Sequence, residues 1–264
     1  MIDQARIDAL TLWLTKGALP PKPMAGNVLH LVSELRAARI PVERLAIFIS
    51  SMHPTAPGRA IYWRPDTDVS VHTASFEFFH SDYYKTSPVQ SVRVSRQPLR
   101  VRMEGDLDAI AARHPDYADL IRKGVTDYYL QPLIETDGEG HGMSYATHHP
   151  DGFTDEMISA FDQVRPGIER LMEIYALKLS THDMLSTYVG RNAGRRILAG
   201  QIQRGDSETI DAVILFADLI GFTALSNAAG TPEVLGTLNA FFDAVDKGIQ
   251  AESGEILKLS LIHI

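Results

Sequence analysis

Apolar residues recur at helical spacing near the start of the chain, with Ile7, Leu10 and Leu14 on one face and Val28, Leu31 and Leu35 on another. Leu19-Pro20-Pro21-Lys22-Pro23 interrupts them, so two helices joined by a proline turn are predicted. The period then shortens. Apolar runs bounded by turn residues at 45–50, 60–63, 69–79, 99–103, 127–134 and 142–147 read as strands. A polar helix over about 107–123 falls among them. Helices, hairpins, helix and hairpin in that order suit an antiparallel sheet with helices packed on it, which predicts an α+β domain at residues 1–152.

Gly152-Phe153-Thr154-Asp155 supplies a helix start, with Thr154 as N-cap and the acids Asp155 and Glu156 where the helix dipole favours negative charge. The helix is predicted over 153–187. Phe161, Ile168 and Tyr175 recur every seven residues, with Val164 and Leu171 between them, which is the seam of a two-helix contact. Either the helix's own domain or a parallel partner in a homodimer can cover that seam. Pro166 is expected to kink the helix. Residues 188–210 form a glycine-punctuated stretch carrying Arg191, Arg195, Arg196 and Arg204. These arginines are expected to pair with carboxylates of a neighbouring segment or subunit rather than with phosphate.

The pattern then changes again. Residues 211–217 form a near-continuous apolar run, as expected of a strand buried on both faces, and the run ends at Asp218. A helix over 232–251 follows, with Leu235, Leu238, Phe241, Phe242 and Val245 on its inner face and Gly254 beyond its end. A second strand is predicted from Glu255.

Composition narrows the function. The 264 residues carry 25 Lys and Arg against 33 Asp and Glu, a net charge of −8 that repels phosphate backbones and disfavours nucleic acid as a partner. With no cysteine there is no disulfide framework, thiolate metal site, cysteine nucleophile or thioether-linked chromophore. No apolar run reaches the roughly 18 residues of a membrane-spanning helix, and the start lacks a basic signal-peptide region, so no membrane span and a cytoplasmic location are expected. The ten histidines show no helical His-x-x-x-His pair. His53, His148 and His149 are therefore assigned surface or capping roles. The aromatic cluster Phe76, Phe78, Phe79, Tyr83 and Tyr84 suits either core packing, which is favoured, or the lining of a ligand pocket.

Asp218 stands at the end of a predicted strand, followed at once by Gly221-Phe222-Thr223 and a helix start. That arrangement either makes Asp218 a cap of the helix or turn, which the strand-Asp-turn pattern alone favours, or sets a hard oxygen ligand beside exposed backbone N–H groups, which suits one loop to Mg2+ and the phosphates it bridges. The wider stretch is more specific. Phe216-Ala217-Asp218-Leu219-Ile220-Gly221-Phe222-Thr223, Thr231-Pro232-Glu233-Val234, Leu238-Asn239-Ala240-Phe241-Phe242 and Gly254-Glu255-Ile256-Leu257-Lys258 resemble the opening of the catalytic domain of class III nucleotidyl cyclases, bacterial adenylate cyclases in particular. Residues 188–210 resemble the transducing segment that precedes that domain. His53-Pro54, Ser87-Pro88, Gly124-Val125-Thr126-Asp127-Tyr128 and Gly152-Phe153 more loosely resemble a GAF-like sensor.

The resemblance implies a GAF-like antiparallel sheet with packed helices, a long connecting helix, and the first part of a ferredoxin-like catalytic domain at 211–258. It implies a signal-regulated adenylate cyclase that forms cyclic AMP and pyrophosphate from ATP with two Mg2+ or Mn2+ ions. Asp218 would be one of two bridging aspartates, helped by the carbonyl of Leu219, and backbone groups around Gly221, Phe222 and Thr223 would cradle the phosphates. Lys258 would read adenine, favouring ATP over GTP. The active site would be shared across a homodimer, with an unidentified small molecule or protein as the signal at the sensor.

The chain departs from the family after Lys258. Where the family has Gly-Asp, the aspartate being the second metal ligand, this sequence has Leu261 and Ile262. Leu259-Ser260-Leu261-Ile262-His263-Ile264 reads as translated sequencing adapter rather than native protein, so the chain is expected to be an inactive fragment. Two other readings remain: a non-catalytic sensor with a degenerate cyclase remnant, or a guanylate cyclase.

Overall fold

The computed structural model describes all residues except 21, 51–56, 66, 139, 202–212, 253, 255 and 257–264. The chain divides into two units, Met1–Thr181 and His182–Ile264.

In the first unit, α1 (Gln4–Thr15) buries Ile7, Leu10 and Leu14, and α2 (Met24–Ala37) buries Val28, Leu31 and Leu35, the faces that the periodicity predicts. The strands β1 (Arg44–Ser50), β2 (Gly58–Trp63), β3 (Ser70–Ala74), β4 (Leu99–Arg102), β5 (Asp127–Ile134) and β6 (Gly140–Thr147) form one antiparallel sheet, ordered β3-β2-β1-β6-β5-β4. Register is set by alternation, since successive side chains point to opposite faces. Ile47, Tyr129, Met143 and Tyr145 enter the core shared with α1 and α2. Tyr128, Leu130 and Ala146 enter a smaller core on the other face.

Two predicted elements end early, each at a cap. The run over 69–79 is strand only to Ala74, because Ser75 Oγ accepts the N–H of Phe78 at 3.3 Å and starts α3 (Phe76–His80). Ser81 and Ser87 repeat the device, accepting the N–H groups of Tyr84 and Gln90, and start α4 (Asp82–Lys85) and α5 (Pro88–Ser95). The predicted helix over 107–123 is two helices, α6 (Leu107–Ala111) and α7 (Pro115–Arg122). Pro115 cannot continue a helix but suits a first turn, and buried His114 caps α7 by accepting the Asp116 N–H at Nδ1, 3.1 Å.

The long helix α8 (Asp155–Tyr188) starts where Thr154 Oγ1 accepts the N–H of Met157 at 3.3 Å, and it runs through Pro166. Its own domain covers the seam. Phe161, Val164, Ile168 and Met172 are buried, and the Phe161 ring lies 3.9 Å from that of Tyr145 at an interplanar angle of 14°. Leu171 and Tyr175 pack at the margin, while Ile174 and Leu177 remain exposed. The β5–β6 turn is tied to the same helix. The N–H groups of Ile134 and Thr136 donate to Glu169 and Glu173 at 3.2 and 3.0 Å, and Arg170 donates to the Ile134 carbonyl at 2.5 Å.

Asp127, the first residue of β5, is fully buried and joins three segments. Its Oδ2 accepts from Arg100 Nη2 on β4 at 2.7 Å and from the N–H of Phe153 at 2.9 Å, and Arg100 also donates to the Phe153 carbonyl. Gly152 sits beside it at φ +64°, where a Cβ would stand 2.6 Å from Oδ2. The glycine is therefore required by both backbone and space.

In the second unit, α9 (Arg191–Leu198), α10 (Phe222–Ala228) and α11 (Thr231–Ala251) are formed. Of the strand predicted at 211–217, residues 213–217 form no strand, and Val213 and Phe216 are 98% and 90% exposed. A strand needs a neighbour for its ladder, and none of the described residues pairs with this segment. Asp211 and Ala212 lie outside the described residues, as do 255 and 257–264 of the second predicted strand. The ferredoxin-like arrangement expected here is thus not formed among the described residues. Helix α11 matches its prediction, but its apolar face is only partly covered: Leu238 is buried and Leu235 is 51% exposed.

Asp127→Ala is expected to destabilise the first unit by about 2–4 kcal/mol, since it strands a half-buried guanidinium and an amide. Gly152→Ala should cost about 2 kcal/mol through strain and the Asp127 clash. Urea unfolding followed by tryptophan fluorescence measures both, and losses under about 0.5 kcal/mol would show that this junction is dispensable.

Candidate functional site

A cavity of about 710 Å³ opens between the sheet and the three serine-capped helices. The sheet supplies Phe48, Tyr62 and His72 from three adjacent strands, with the Phe48 and Tyr62 rings 6.1 Å apart and Tyr62 5.5 Å from His72. The helices supply Phe78, Phe79, Tyr83 and Tyr84, whose neighbouring centroids lie 4.6–6.0 Å apart. The core role favoured for this aromatic cluster is corrected here. Phe76, Phe78 and Tyr83 are exposed, and only Tyr84 is buried, because the capped turns aim the rings at the cavity mouth rather than under the sheet. Phe79 presses on Gly58, where a Cβ would stand 2.4 Å from its ring.

The polar lining is sparse. Arg59 comes from β2 and Arg93 from α5; Arg93 donates through Nε to the Gly140 carbonyl at 3.1 Å and through Nη1 to the Tyr84 hydroxyl at 2.5 Å. Asp116 accepts from the Tyr83 hydroxyl at 2.5 Å. Burial and then that carboxylate push the Tyr83 phenol above its ordinary range, so it stays a donor at physiological pH.

Tyr84 and Arg93 also line a second cavity of about 340 Å³, where His141 lies buried. His141 Nδ1 accepts the Ser50 N–H at 3.2 Å, which leaves the proton on Nε2, facing the Glu135 carboxylate. Burial, and secondarily the Arg93 charge, push its pKa down to about 4.

The residues that carry the cyclase resemblance belong to the second unit. Asp218 is exposed on an irregular segment, and the carbonyl of Leu219 accepts the N–H of Phe222 at 3.2 Å. Gly221, at φ +83°, stands at the N-cap of α10, and its carbonyl accepts the N–H of Leu225 at 3.0 Å. Thr223 lies in the first turn. The structure therefore places Asp218, Leu219, Gly221, Phe222 and Thr223 in one turn, with the Leu219 carbonyl and the Phe222 N–H bonded to each other. Lys258 and the six residues after it lie outside the described residues.

Of the arginines, Arg195 donates to the side-chain oxygen of Asn192 rather than to a carboxylate, and Arg204 lies outside the described residues. His148 pairs with Glu43 and His149 with Asp151 at the surface, as assigned, while His53 lies outside. No group of three or more metal-ligating side chains converges among the described residues. Sequence reasoning passed over Arg59, Arg93, Tyr62 and His72. The signal that could have found their pocket was Ser75, Ser81 and Ser87, three caps six residues apart that fold an apparent strand into a helical wall.

The first unit is thus an α+β domain with an antiparallel six-stranded sheet and a ligand-sized aromatic cavity. No protein-family model matches the chain. Among curated proteins, it is 30% identical over 143 residues to the alpha subunit of photoactivated adenylate cyclase from Euglena gracilis, which covers 53% of this chain and 13% of that protein. It is 29% identical over 107 residues to the beta subunit from Euglena longa, covering 40% of this chain and 12% of that protein. The chain therefore spans about an eighth of the length of these relatives. Similar solved structures include GAF domains. One, from a two-component sensor histidine kinase of Bacillus halodurans, has 10% identity and a TM-score of 0.42 and covers 60% of this chain and 99% of that one. Another, the phycoerythrobilin-bound GAF domain of a cyanobacterial phytochrome, has 10% identity and a TM-score of 0.45, with coverage of 67% and 100%. No described helix is long and apolar enough to cross a membrane.

The state of His141 is open to test. Its pKa is depressed below the unfolded value near 6.5, so stability is full above that pH and falls as pH drops toward 4, by up to about 3 kcal/mol. His141→Gln should flatten this part of the pH–stability profile. Nitrogen chemical shifts at pH 6 should show a neutral ring protonated on Nε2, and an imidazolium there would overturn the assignment.

Proposed function

We propose that this chain is the sensory and connecting part of a signal-regulated adenylate cyclase, with a GAF-like first unit whose cavity receives the signal. The observation that carries this reading is the ordered series from Phe216-Ala217-Asp218 through Gly221-Phe222-Thr223 to Lys258. Partial identity to adenylate cyclase subunits supports it. The complete protein would act as a homodimer in the cytoplasm, converting ATP to cyclic AMP and pyrophosphate, with Lys258 favouring adenine over guanine.

The residues present do not make a two-ion site for Mg2+ or Mn2+. Asp218 contributes one carboxylate, Leu261 and Ile262 stand where a second would be required, and no other cluster of ligands accompanies it among the described residues. One carboxylate and one carbonyl leave two cations short of protein ligands, so the chain as written should not turn over ATP. That same mismatch favours a second reading, a non-catalytic sensor with a cyclase remnant.

Recovering the gene independently and reading past Lys258 separates the two. A continuation into Gly-Asp should yield a protein that makes cyclic AMP from ATP with magnesium or manganese, and Asp218→Ala should lower that rate at least a hundredfold. A continued protein that forms no cyclic AMP, or whose Asp218→Ala variant keeps full turnover, would overturn the adenylate cyclase reading.

A further inference from the structure

Residues 184–205 hold four arginines, Arg191, Arg195, Arg196 and Arg204, and no acid, in a chain whose net charge is −8. The carboxylate just upstream, Asp183, is buried and stands 3.6 Å from the His182 ring. Charge of one sign is thus concentrated in one short stretch, which raises the local concentration of anions around it.

Helix α9 gives this charge a direction. At 100° per residue, Asn192, Arg195 and Arg196 fall on one side of the helix, and Ala193, Ile197 and Leu198 on the other. Gly194 brings α9 against Leu185 in the last turns of α8, so closely that a Cβ there would stand 3.2 Å from the Leu185 side chain. That contact leaves apolar surface uncovered: Ile197 and Leu198 are 36% and 48% exposed, and Val189, just before the helix, is 38% exposed. On the polar side Arg195 is exposed and holds Asn192, a neutral partner that leaves its charge uncompensated.

The two faces together select among anions. A nucleic acid or an acidic peptide can pair with the arginines, but it leaves Ile197 and Leu198 in water. The boundary of a bilayer rich in anionic lipid answers both, since a basic amphipathic helix lies in that plane with its apolar side at the acyl boundary and its guanidinium groups among the headgroups. The acidity of the whole chain does not forbid the contact. Exposed charges are screened beyond about 8–10 Å at ordinary ionic strength, so the charges nearest the surface set the sign.

We propose that α9, with the acid-free stretch around it, docks this chain peripherally on an anionic lipid surface. The proposal goes beyond the cyclase reading and requires neither a ligand in the first unit nor catalysis by the second.

The test uses the full chain and sedimentation with two kinds of vesicle, phosphatidylcholine alone and an equal mixture of phosphatidylcholine and phosphatidylserine. Binding to the mixed vesicles is expected to be at least tenfold tighter, and to weaken as salt rises from about 0.1 M to about 1 M. The double change Arg195→Gln and Arg196→Gln should lower the affinity for mixed vesicles about tenfold, with far-ultraviolet circular dichroism unchanged. Ile197→Ser with Leu198→Ser should weaken it by a similar factor while the salt dependence persists, which separates insertion from charge pairing alone. Equal binding to the two vesicles, or binding that survives both double changes, would overturn the proposal. So would poly-L-glutamate bound as tightly as mixed vesicles and unaffected by the serine changes, since that result assigns the surface to an acidic protein. No readout involves cyclic AMP, so failure here leaves the cyclase reading standing, and failure of that reading leaves vesicle binding intact.

Discussion

A single buried carboxylate organises the first unit. Asp127 is removed from water at the head of β5, and a charge in that position persists only if it is paired and hydrogen-bonded. Arg100 from the neighbouring strand and the amide of Phe153 supply those partners. Satisfying the charge thus fixes β4 to β5 and sets the entry of the chain into α8. Gly152 is the corollary: the peptide must approach the carboxylate more closely than any Cβ allows. From this entry the helix runs along the sheet with Phe161 stacked on Tyr145, and the β5–β6 turn binds it again at Glu169 and Glu173. The long helix is consequently part of the first unit's core.

Much of this unit was legible in the sequence because the period of apolar residues reports burial directly. The faces of α1 and α2, the extent of β5 and the seam of α8 follow from spacing alone. What spacing does not encode is where a polar side chain intercepts the backbone. Ser75 ends a run that otherwise alternates like a strand, and His114-Pro115 splits a helix at a proline that the apolar spacing alone passes over. The aromatic residues after Ser75 were assigned to the core for the same reason. Hydrophobicity says that a ring seeks cover, but only the chain direction after the cap says whether that cover is a core or a cavity wall. The arginines of the cavity were passed over because each lies in a different element, and nothing local links them.

The second unit shows the opposite imbalance. Its motif is specific in sequence, yet its chemistry is incomplete among the described residues. The run Val213-Ile214-Leu215-Phe216-Ala217 has the composition of a strand buried on both faces and lies exposed. Burial of that kind is a property of a sheet, not of a segment, so the pattern predicts a context as much as a conformation. The same holds for Asp218, an exposed carboxylate that no cluster of other metal-ligating side chains joins among the described residues. The partly covered face of α11 fits this account, since Leu235 has the spacing of a core residue without a core above it.

The outer wall of the aromatic cavity is the edge strand β3. Among the described residues it pairs with β2 alone, is largely exposed along Ser70–Ala74, and gives no residue to either hydrophobic cluster. Detaching it breaks one ladder of hydrogen bonds and leaves both clusters intact, so its opening free energy lies at the low end of the domain's range. The cavity is therefore bounded on this side by the segment that can fray at least cost to the rest of the unit.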